Sequence, residues 1–355
     1  MKILITGGAG FVGGALAKFF QRDDTNNFVV VLDNLRRRGS EWNLEGLRSQ
    51  GVTFVHGDIR NPADLEALDD RFDVLIEASA EPSVHAGLAE SPRYVLDTNL
   101  LGALNCLEFA RKCCGGFVFL SSSRVYSIEP LTQLPLIESP TRFELRDDRS
   151  NVPGATSNGI SEEFSCTTCR SYYGGSKLAA ELLCQEYAAH ARLPIVINRC
   201  GVIAGPGQFG KTDQGVFTLW IARHYFGRPL KYTGFGGKGL QVRDLLHPED
   251  LCELMRRQLQ SWNLASGHTF NVGGGRPGSV SLREFTSLCQ DTTGRTVTVA
   301  EDPTTSPVDI PWYITDHAKV TSVFDWTPLR SPKEIASDIT EWIRANENDL
   351  SRILL

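Results

Sequence analysis

Two side chains carry the clearest chemistry in this 355-residue sequence. They are Tyr173 and Lys177 of Tyr173-Gly174-Gly175-Ser176-Lys177. A spacing of four at the start of a helix puts both on one face. A tyrosine ordinarily ionises near pH 10 and is a poor base at neutral pH. A neighbouring ammonium stabilises the phenolate and brings that ionisation down. A phenol tuned in this way can remove the proton of an alcohol. The run Leu120-Ser121-Ser122-Ser123-Arg124-Val125-Tyr126 adds hydroxyls that could hold the alcohol oxygen and share its proton. Each feature has a plainer explanation. Tyr172 and Tyr173 could simply pack a surface helix onto the core, and a serine-rich strand end could cap the next turn.

The surrounding pattern decides between these readings. Lys2 to Thr6, Phe28 to Asp33, Val52 to His56, Val74 to Glu77, Phe117 to Ser121 and Pro194 to Arg199 are short apolar, β-branched runs. Helical spacing covers Phe11 to Gln21, Pro92 to Cys113 and Ser171 to Ala191. Apolar strands separated by helices predict a doubly wound parallel sheet of the Rossmann type, covered on both faces. Hydroxyls at the carboxyl end of a central strand of such a sheet face its ligand crevice. Residues 1–200 therefore read as one Rossmann domain to which 240–269 return. Residues 201–239 and 270–355 read as a smaller mixed α/β lobe, interleaved in sequence. Between Glu129 and Arg170 the periodicity breaks into Pro, Ser, Asn, Thr and Asp, which marks a functional loop, and that loop is expected to cover the ligand.

The first strand runs into Gly7-Gly8-Ala9-Gly10-Phe11-Val12-Gly13. Between a strand and a helix this triplet is a dinucleotide loop. Gly7 permits the turn, Gly10 admits a pyrophosphate at the helix N-terminus, and Gly13 permits close packing of the helix. Asp33 ends the second strand about twenty residues on, where a carboxylate can accept from both ribose hydroxyls of the adenosine. The same carboxylate would repel a 2′-phosphate, which selects NAD over NADP. Arg36-Arg37-Arg38 reads as a solvated charge run, although an arginine could also meet such a phosphate. Asp58 could accept from the adenine amine while Ile59 packs on the ring. An oxidised nicotinamide then adds a second positive charge beside the phenol and takes hydride from the alcohol carbon.

Composition narrows the alternatives. The formal net charge is −6, so no broad basic surface is available for a nucleic-acid backbone. No run of about 18 apolar residues reads as a membrane span, and the N-terminus does not read as a signal peptide. Nine irregularly spaced cysteines, with Cys113 and Cys114 adjacent, suit a reducing cytoplasm and not a disulfide framework. Cys166-Thr167-Thr168-Cys169 has ligand spacing but no second pair to complete a zinc site, and no metal is expected.

In this order and over this length, the glycine loop, Asp33, the serine-rich strand end and Tyr-x-x-x-Lys resemble the extended short-chain dehydrogenase/reductases. These are NAD-dependent sugar-nucleotide epimerases and dehydratases. The resemblance implies Ser122 as the catalytic hydroxyl, Tyr173 as the base and Lys177 as its partner. It carries cofactor contacts onto Gly7, Gly10, Phe11, Val12, Gly13, Asp33, Asn34, Arg37, Asp58, Ile59, Ala78, Ser79, Ala80, Asn99, Ser121, Cys200 and Val202. In dehydratases of the family an Asp and a Glu follow the catalytic hydroxyl. Here Ser123 and Arg124 follow it, which implies an epimerase.

A narrower resemblance is to the 2-epimerases that interconvert CDP-paratose and CDP-tyvelose. It rests on Asp33 to Ser40 with Asn43-Leu44, on Gln208-Phe209-Gly210-Lys211-Thr212-Asp213-Gln214-Gly215, and on Gly234 to His247 with Gln241-Val242-Arg243-Asp244. Phe270 to Gly274 and Asp325-Trp326-Thr327-Pro328 add to it. It implies a CDP-linked 3,6-dideoxyhexose of the kind used in lipopolysaccharide O-antigen biosynthesis. Ser83, Ser122, Ser123, Gln208, Gln214, Tyr232, Gln241 and Arg243 would contact it. Arg243 is a planar fork suited to a diphosphate, or else a surface partner of Asp244. A UDP- or CDP-sugar 4-epimerase and a non-catalytic NAD-binding protein are the rival readings. Family members also form dimers or tetramers, through helices that correspond here to 92–113 and 171–191.

The chain departs from the family pattern in four places. Glu77-Ala78-Ser79-Ala80 stands for His-Leu-Ala-Ala, Tyr126-Ser127 for Tyr-Gly, and Val202 for an Asn. Asp309-Ile310-Pro311 lacks the arginine of a late Asp-x-Arg segment.

Overall fold

The computed structural model describes residues 1–146, 152–210 and 214–354. Its contacts divide the chain into two compact units. The first comprises Met1–Val125, Ser171–Cys200 and Leu251–Phe270. The second comprises Tyr126–Arg170, Gly201–Asp250 and Asn271–Leu355.

Unit 1 is built on β1 (Lys2–Thr6), β2 (Phe28–Asp33), β3 (Thr53–His56), β4 (Val74–Glu77), β5 (Phe117–Ser122) and β6 (Ile195–Cys200), with β7 (Thr269–Val272) at the edge. The order β7-β6-β5-β4-β1-β2-β3 reverses beside β1, and every resolved pairing from β3 to β6 is parallel. That reversal between β1 and β4 is the switch point at which open α/β sheets bind ligands. The buried patterns of β1, β4, β5 and β6 explain their near-continuous apolar runs. Leu4, Leu75, Phe117, Phe119 and Ile197 form a core with Cys106, Leu107 and Ala110 of helix Gly102–Cys113 and with Ala180 and Cys184 of helix Tyr172–His190. One continuous helix was expected from 92 to 113. The structure inserts a π-helical segment, Asp97–Leu101, between Arg93–Leu96 and Gly102–Cys113. Such a bulge widens the turn, and here it carries Asn99.

The expected domain limits differ from the observed ones in two places. Residues 126–170 segregate with unit 2 instead of unit 1. The hydroxyl of Tyr126 donates to Asn271 Oδ1 at 2.7 Å, Ile160 N–H donates to the Ile314 carbonyl, and Asn271 Nδ2 donates to the Ile160 carbonyl. The stretch is thus stitched down by long-range backbone and side-chain bonds that no local periodicity reports. Residues 240–250 also belong to unit 2, because strand Val242–Leu246 pairs with Val202–Ile203 and with Ser279–Ser281. Among the described residues, no helix is long and apolar enough to cross a membrane, and no cluster of His, Cys, Asp and Glu could hold a metal ion.

Candidate active site

The glycine loop has the shape that a dinucleotide requires. Gly7 takes φ +67°, and a Cβ there would lie 2.8 Å from the Ala78 carbonyl and from Ser79. A Cβ on Gly13 would lie 2.3 Å from the Gly7 carbonyl oxygen, so helix Phe11–Asp23 starts hard against the loop. Gly10 is different. A Cβ there would meet only the Gly7 oxygen, at 3.1 Å, and its backbone is ordinary extended chain at φ −74°. The space beside Gly10 is open, and no side chain caps the helix. The first-turn N–H groups of Phe11, Val12 and Gly13 are thereby left to an anion.

Asp33 is locked onto this loop. One carboxylate oxygen accepts from Ala9 N–H at 3.1 Å and the other from Leu35 N–H at 2.8 Å. Burial pushes its pKa above the usual carboxylate value, and the N–H groups of Leu35, Ala9 and Gly10 pull it back. Each oxygen keeps lone pairs for a ribose hydroxyl. Leu35 reaches its place with φ +55°, a strained conformation for a leucine, at the point where the chain turns out of the sheet. Asn43 Nδ2 donates to the Ala9 carbonyl at 2.8 Å and anchors the loop from the other side. These features fit NAD.

Several expected cofactor contacts are engaged within the protein. Asp58 accepts from Asn34 Nδ2 at 2.9 Å and from Arg60 Nε at 3.0 Å, and that fork holds its carboxyl well below the usual range. Ile59 is buried under Gly102, where an added Cβ would lie 2.5 Å from its Cδ1. Asn99 accepts from Glu81 N–H and donates to the Glu81 carbonyl and to Ser176 Oγ, clasping the loop after β4 to the tyrosine helix. The Ser121 hydroxyl is committed to Glu181, whose carboxylate is forked by Arg199 Nε and Nη2. Cys200 is buried, and burial pushes its thiol up to about 12. Ala78 and Ser79 are half-buried beside Gly7, Ala80 is exposed, and Arg37 and Val202 are half-buried.

The residues expected to be catalytic lie on two elements of unit 1. Ser122 ends β5, is 7% exposed, and accepts from Arg124 N–H at 3.1 Å. Tyr173 and Lys177 sit one turn apart in helix Tyr172–His190, which packs on β5 and on the Ser123–Val125 turn. The Ser171 side chain caps that helix by accepting from Gly174 N–H at 3.2 Å. Tyr173 therefore occupies the first turn, where the helix dipole favours an anion. Lys177 is 2% exposed and its Nζ donates to the Leu120 carbonyl at 2.9 Å. Its second neighbour is Glu77, whose Oε2 is 3.5 Å away.

The expected sugar contacts divide. Ser83 and Ser123 are buried in unit 1, with Ser83 Oγ accepting from His85 N–H. Ser122 is also in unit 1, and Gln208, Gln214, Tyr232, Gln241 and Arg243 lie in unit 2. Gln208 is buried and satisfied: its Nε2 donates to the Ile203 carbonyl and its Oε1 accepts from Thr218 Oγ1. Tyr232 is a core residue, stacked on Trp220 at 5.8 Å with its hydroxyl donating to Thr286. Both corrections have one cause, since an amide or a phenol tip in sequence does not disclose whether its partner is a ligand or the protein. Arg243 pairs with Asp309 at 3.1 Å and donates to the Ile310 carbonyl at 2.7 Å. Its partner is not Asp244, which is buried and accepts from Gly275 N–H at 3.0 Å. Arg243 thus reaches the Asp309-Ile310-Pro311 segment that lacks its own arginine. Gln241 Nε2 donates to the Thr233 carbonyl while its buried Oε1 makes no hydrogen bond, leaving one acceptor open. Gln214 is half-buried. Lys211, Thr212 and Asp213 lie outside the described residues.

Sequence reasoning missed Glu181, Arg199, Asn43 and the part played by Glu77. A glutamate closing the buried run Val74-Leu75-Ile76-Glu77 was a readable signal, because a buried carboxylate requires a partner.

A family model described as the NAD dependent epimerase/dehydratase family matches residues 3–273. The chain is 31% identical to CDP-paratose 2-epimerase of Salmonella typhi over 96% of its length and 99% of the relative's. It is 27% identical to UDP-glucose 4-epimerase of Erwinia amylovora, over 98% of both chains. Among solved structures, Pal from Bacillus thuringiensis superposes with a TM-score of 0.80 at 26% identity, covering 98% of this chain and 100% of that one. UDP-glucuronic acid 4-epimerase of Bacillus cereus, solved with UDP-glucuronic acid and NAD, gives 0.80 at 23% identity over the same shares and attests the fold. On this footing the chain belongs to the NAD dependent epimerase/dehydratase family of sugar-nucleotide enzymes, and NAD is its cofactor.

Proposed function

We propose that the protein is an epimerase that inverts C2 of a CDP-linked 3,6-dideoxyhexose, converting CDP-paratose to CDP-tyvelose through a transient 2-keto sugar. NAD, when bound, supplies the acceptor that takes hydride from C2 and gives it back. Tyr173 removes the C2 hydroxyl proton and later returns it. Ser122 holds the same oxygen, and Lys177 holds positive charge one turn from the phenol. The N–H groups of Phe11, Val12 and Gly13 hold the pyrophosphate and Asp33 the adenosine ribose. Asp58, Asn34 and Arg37 border the adenine side, with Ala78, Ser79 and Ala80 at the end of β4. Gln241 and Arg243 are offered to the sugar nucleotide. Inversion leaves no net redox change, so the cofactor stays with the protein between turnovers.

The observation that carries the epimerase reading is the pair Ser123-Arg124 directly after Ser122. Neither side chain can exchange a proton with the sugar near neutral pH, as elimination of water demands. The full-length likeness to CDP-paratose 2-epimerase supports C2 and the CDP sugar. Exposed Leu101 and Leu182, on the segments 97–101 and 172–190, support a homo-oligomer joined through those helices. Nine free cysteines support a reducing cytoplasm.

The test is proton NMR of CDP-paratose, UDP-glucose and dTDP-glucose, each incubated with purified protein and no added NAD. New anomeric signals from CDP-paratose alone are expected. Conversion of UDP-glucose to its 4-epimer would instead select the 4-epimerase reading, and a 4-keto-6-deoxy product from dTDP-glucose would refute both.

A further inference from the structure

Lys177 stands over an anion that the reaction does not use. Glu77, the last residue of β4, is 1% exposed, and its Oε2 approaches Lys177 Nζ at 3.5 Å and makes no hydrogen bond. The ammonium is held on three sides: by that carboxylate, by the Leu120 carbonyl at 2.9 Å, and by the Phe119 ring, whose centroid is 4.6 Å away. Among the described residues no other carboxylate pairs with Lys177. Glu181, one turn further along the helix, is fully engaged by Arg199 and Ser121.

The groups facing the pair are few. Helix Gly102–Cys113 presents Cys106, helix Tyr172–His190 presents Cys184, β6 presents Cys200 and β1 presents Thr6. Burial pushes all three thiols far above their ordinary range, so they stay neutral. Burial pushes the Glu77 carboxyl up, while Lys177 and the Ser79 N–H pull it down. Buried in this way, a lone charge on either residue would be costly, and each is the other's compensation.

We propose that Glu77 is a positioning residue of the reaction: a buried counter-ion that fixes the Lys177 ammonium behind the site and subtracts from the field it exerts on Tyr173. It rests on the reading of Tyr173 and Lys177 as base and partner. Lys177 then needs no ligand to keep its place. The carboxylate also sets how strongly the lysine favours the phenolate, so a neutral residue at position 77 leaves the lysine's field unopposed. A unit charge removed from a low-dielectric site beside the lysine shifts a group near that lysine by about one pH unit.

The experiment is a spectrophotometric pH titration of the NAD-loaded protein, using tyrosinate absorbance. Subtracting a Tyr173→Phe protein isolates Tyr173, and no sugar is needed. In Glu77→Gln the Tyr173 signal should rise about one pH unit lower than in wild type, and in Glu77→Asp it should lie between the two. Coincident wild-type and Glu77→Gln curves would overturn the proposal. The base assignment itself fails separately, if wild-type Tyr173 titrates like an ordinary tyrosine. Should Glu77→Gln not fold, Lys177→Met carries the question. Without the ammonium, Glu77 takes a proton, giving a protonated-carboxyl infrared band at neutral pH that wild type and the Lys177→Met/Glu77→Gln double variant lack. Absence of that band would equally overturn the proposal.

Discussion

Gly10 and Gly13, three and six residues after Gly7 in the loop that follows β1, should respond to alanine in different ways, and the difference locates the cofactor. At Gly13 the new methyl would sit 2.3 Å from the Gly7 oxygen and 2.8 Å from the Gly7 carbonyl carbon. Both are backbone atoms that cannot swing aside. Relief requires the helix start to move by most of an ångström. Overpacking of this kind costs roughly 1–3 kcal/mol, against a helix-propensity gain of about 1 kcal/mol. Gly13→Ala should therefore lose stability in the cofactor-free protein and bind NAD more weakly as well. At Gly10 the nearest atom would be 3.1 Å away and the backbone already suits alanine. Gly10→Ala should leave the cofactor-free melting temperature within a degree or two. Its methyl, however, occupies the space assigned to the pyrophosphate. The same roughly 1–3 kcal/mol then falls on binding and weakens it about 5- to 150-fold. Thermal unfolding of cofactor-stripped protein and calorimetric titration with NAD measure the two effects separately. If Gly10→Ala binds NAD as tightly as wild type, the pyrophosphate is not where the loop places it.

Other consequences are as direct. Glu181→Gln leaves Arg199 buried without its charge partner, and should cost about 3–5 kcal/mol in urea unfolding. Asp33→Ala removes the acceptor for the Ala9 and Leu35 N–H groups, and should weaken NAD at least tenfold by calorimetric titration while leaving the rest of the sheet intact. His247 is 5% exposed, and burial, joined by the Arg330 guanidinium, lowers its folded-state pKa from the ordinary 6.5 to about 4, outweighing Glu249 and Asp250. A depressed value stabilises the fold above pH 6.5, and that stability is lost as pH falls towards 4. The loss amounts to roughly 3 kcal/mol. His247→Asn keeps an acceptor for the Glu249 N–H and should show a shallower fall in melting temperature across that interval.

The candidate cofactor residues and the candidate sugar residues differed in how far they could be read from sequence. The glycine loop, Asp33 and the Tyr173–Lys177 pair were legible because each depends on local spacing: a strand, a tight turn and a helix start fix their geometry. The parallel sheet was legible from the same alternation, whereas the strand order comes from the structure. Gln208 and Tyr232 were not legible, because polar tips are identical in sequence whether they meet a ligand or Thr218 and Thr286. The placement of 126–170 with unit 2 was hidden for a related reason. It is fixed by long-range bonds such as Tyr126 to Asn271, separated by 145 residues. Glu77 was visible as a departure from the family pattern, but its partner Lys177 lies a hundred residues away and only the fold joins them.

The central claim is that a hydrogen leaves and re-enters the same sugar carbon as hydride, with Tyr173 moving only the hydroxyl proton. Epimerisation of CDP-paratose in deuterium oxide, followed by mass spectrometry and proton NMR, tests it. The account predicts a product with no deuterium on the inverted carbon, and no product from Tyr173→Phe. Solvent deuterium bonded to that carbon would show that a proton, not hydride, was exchanged there, and would contradict it.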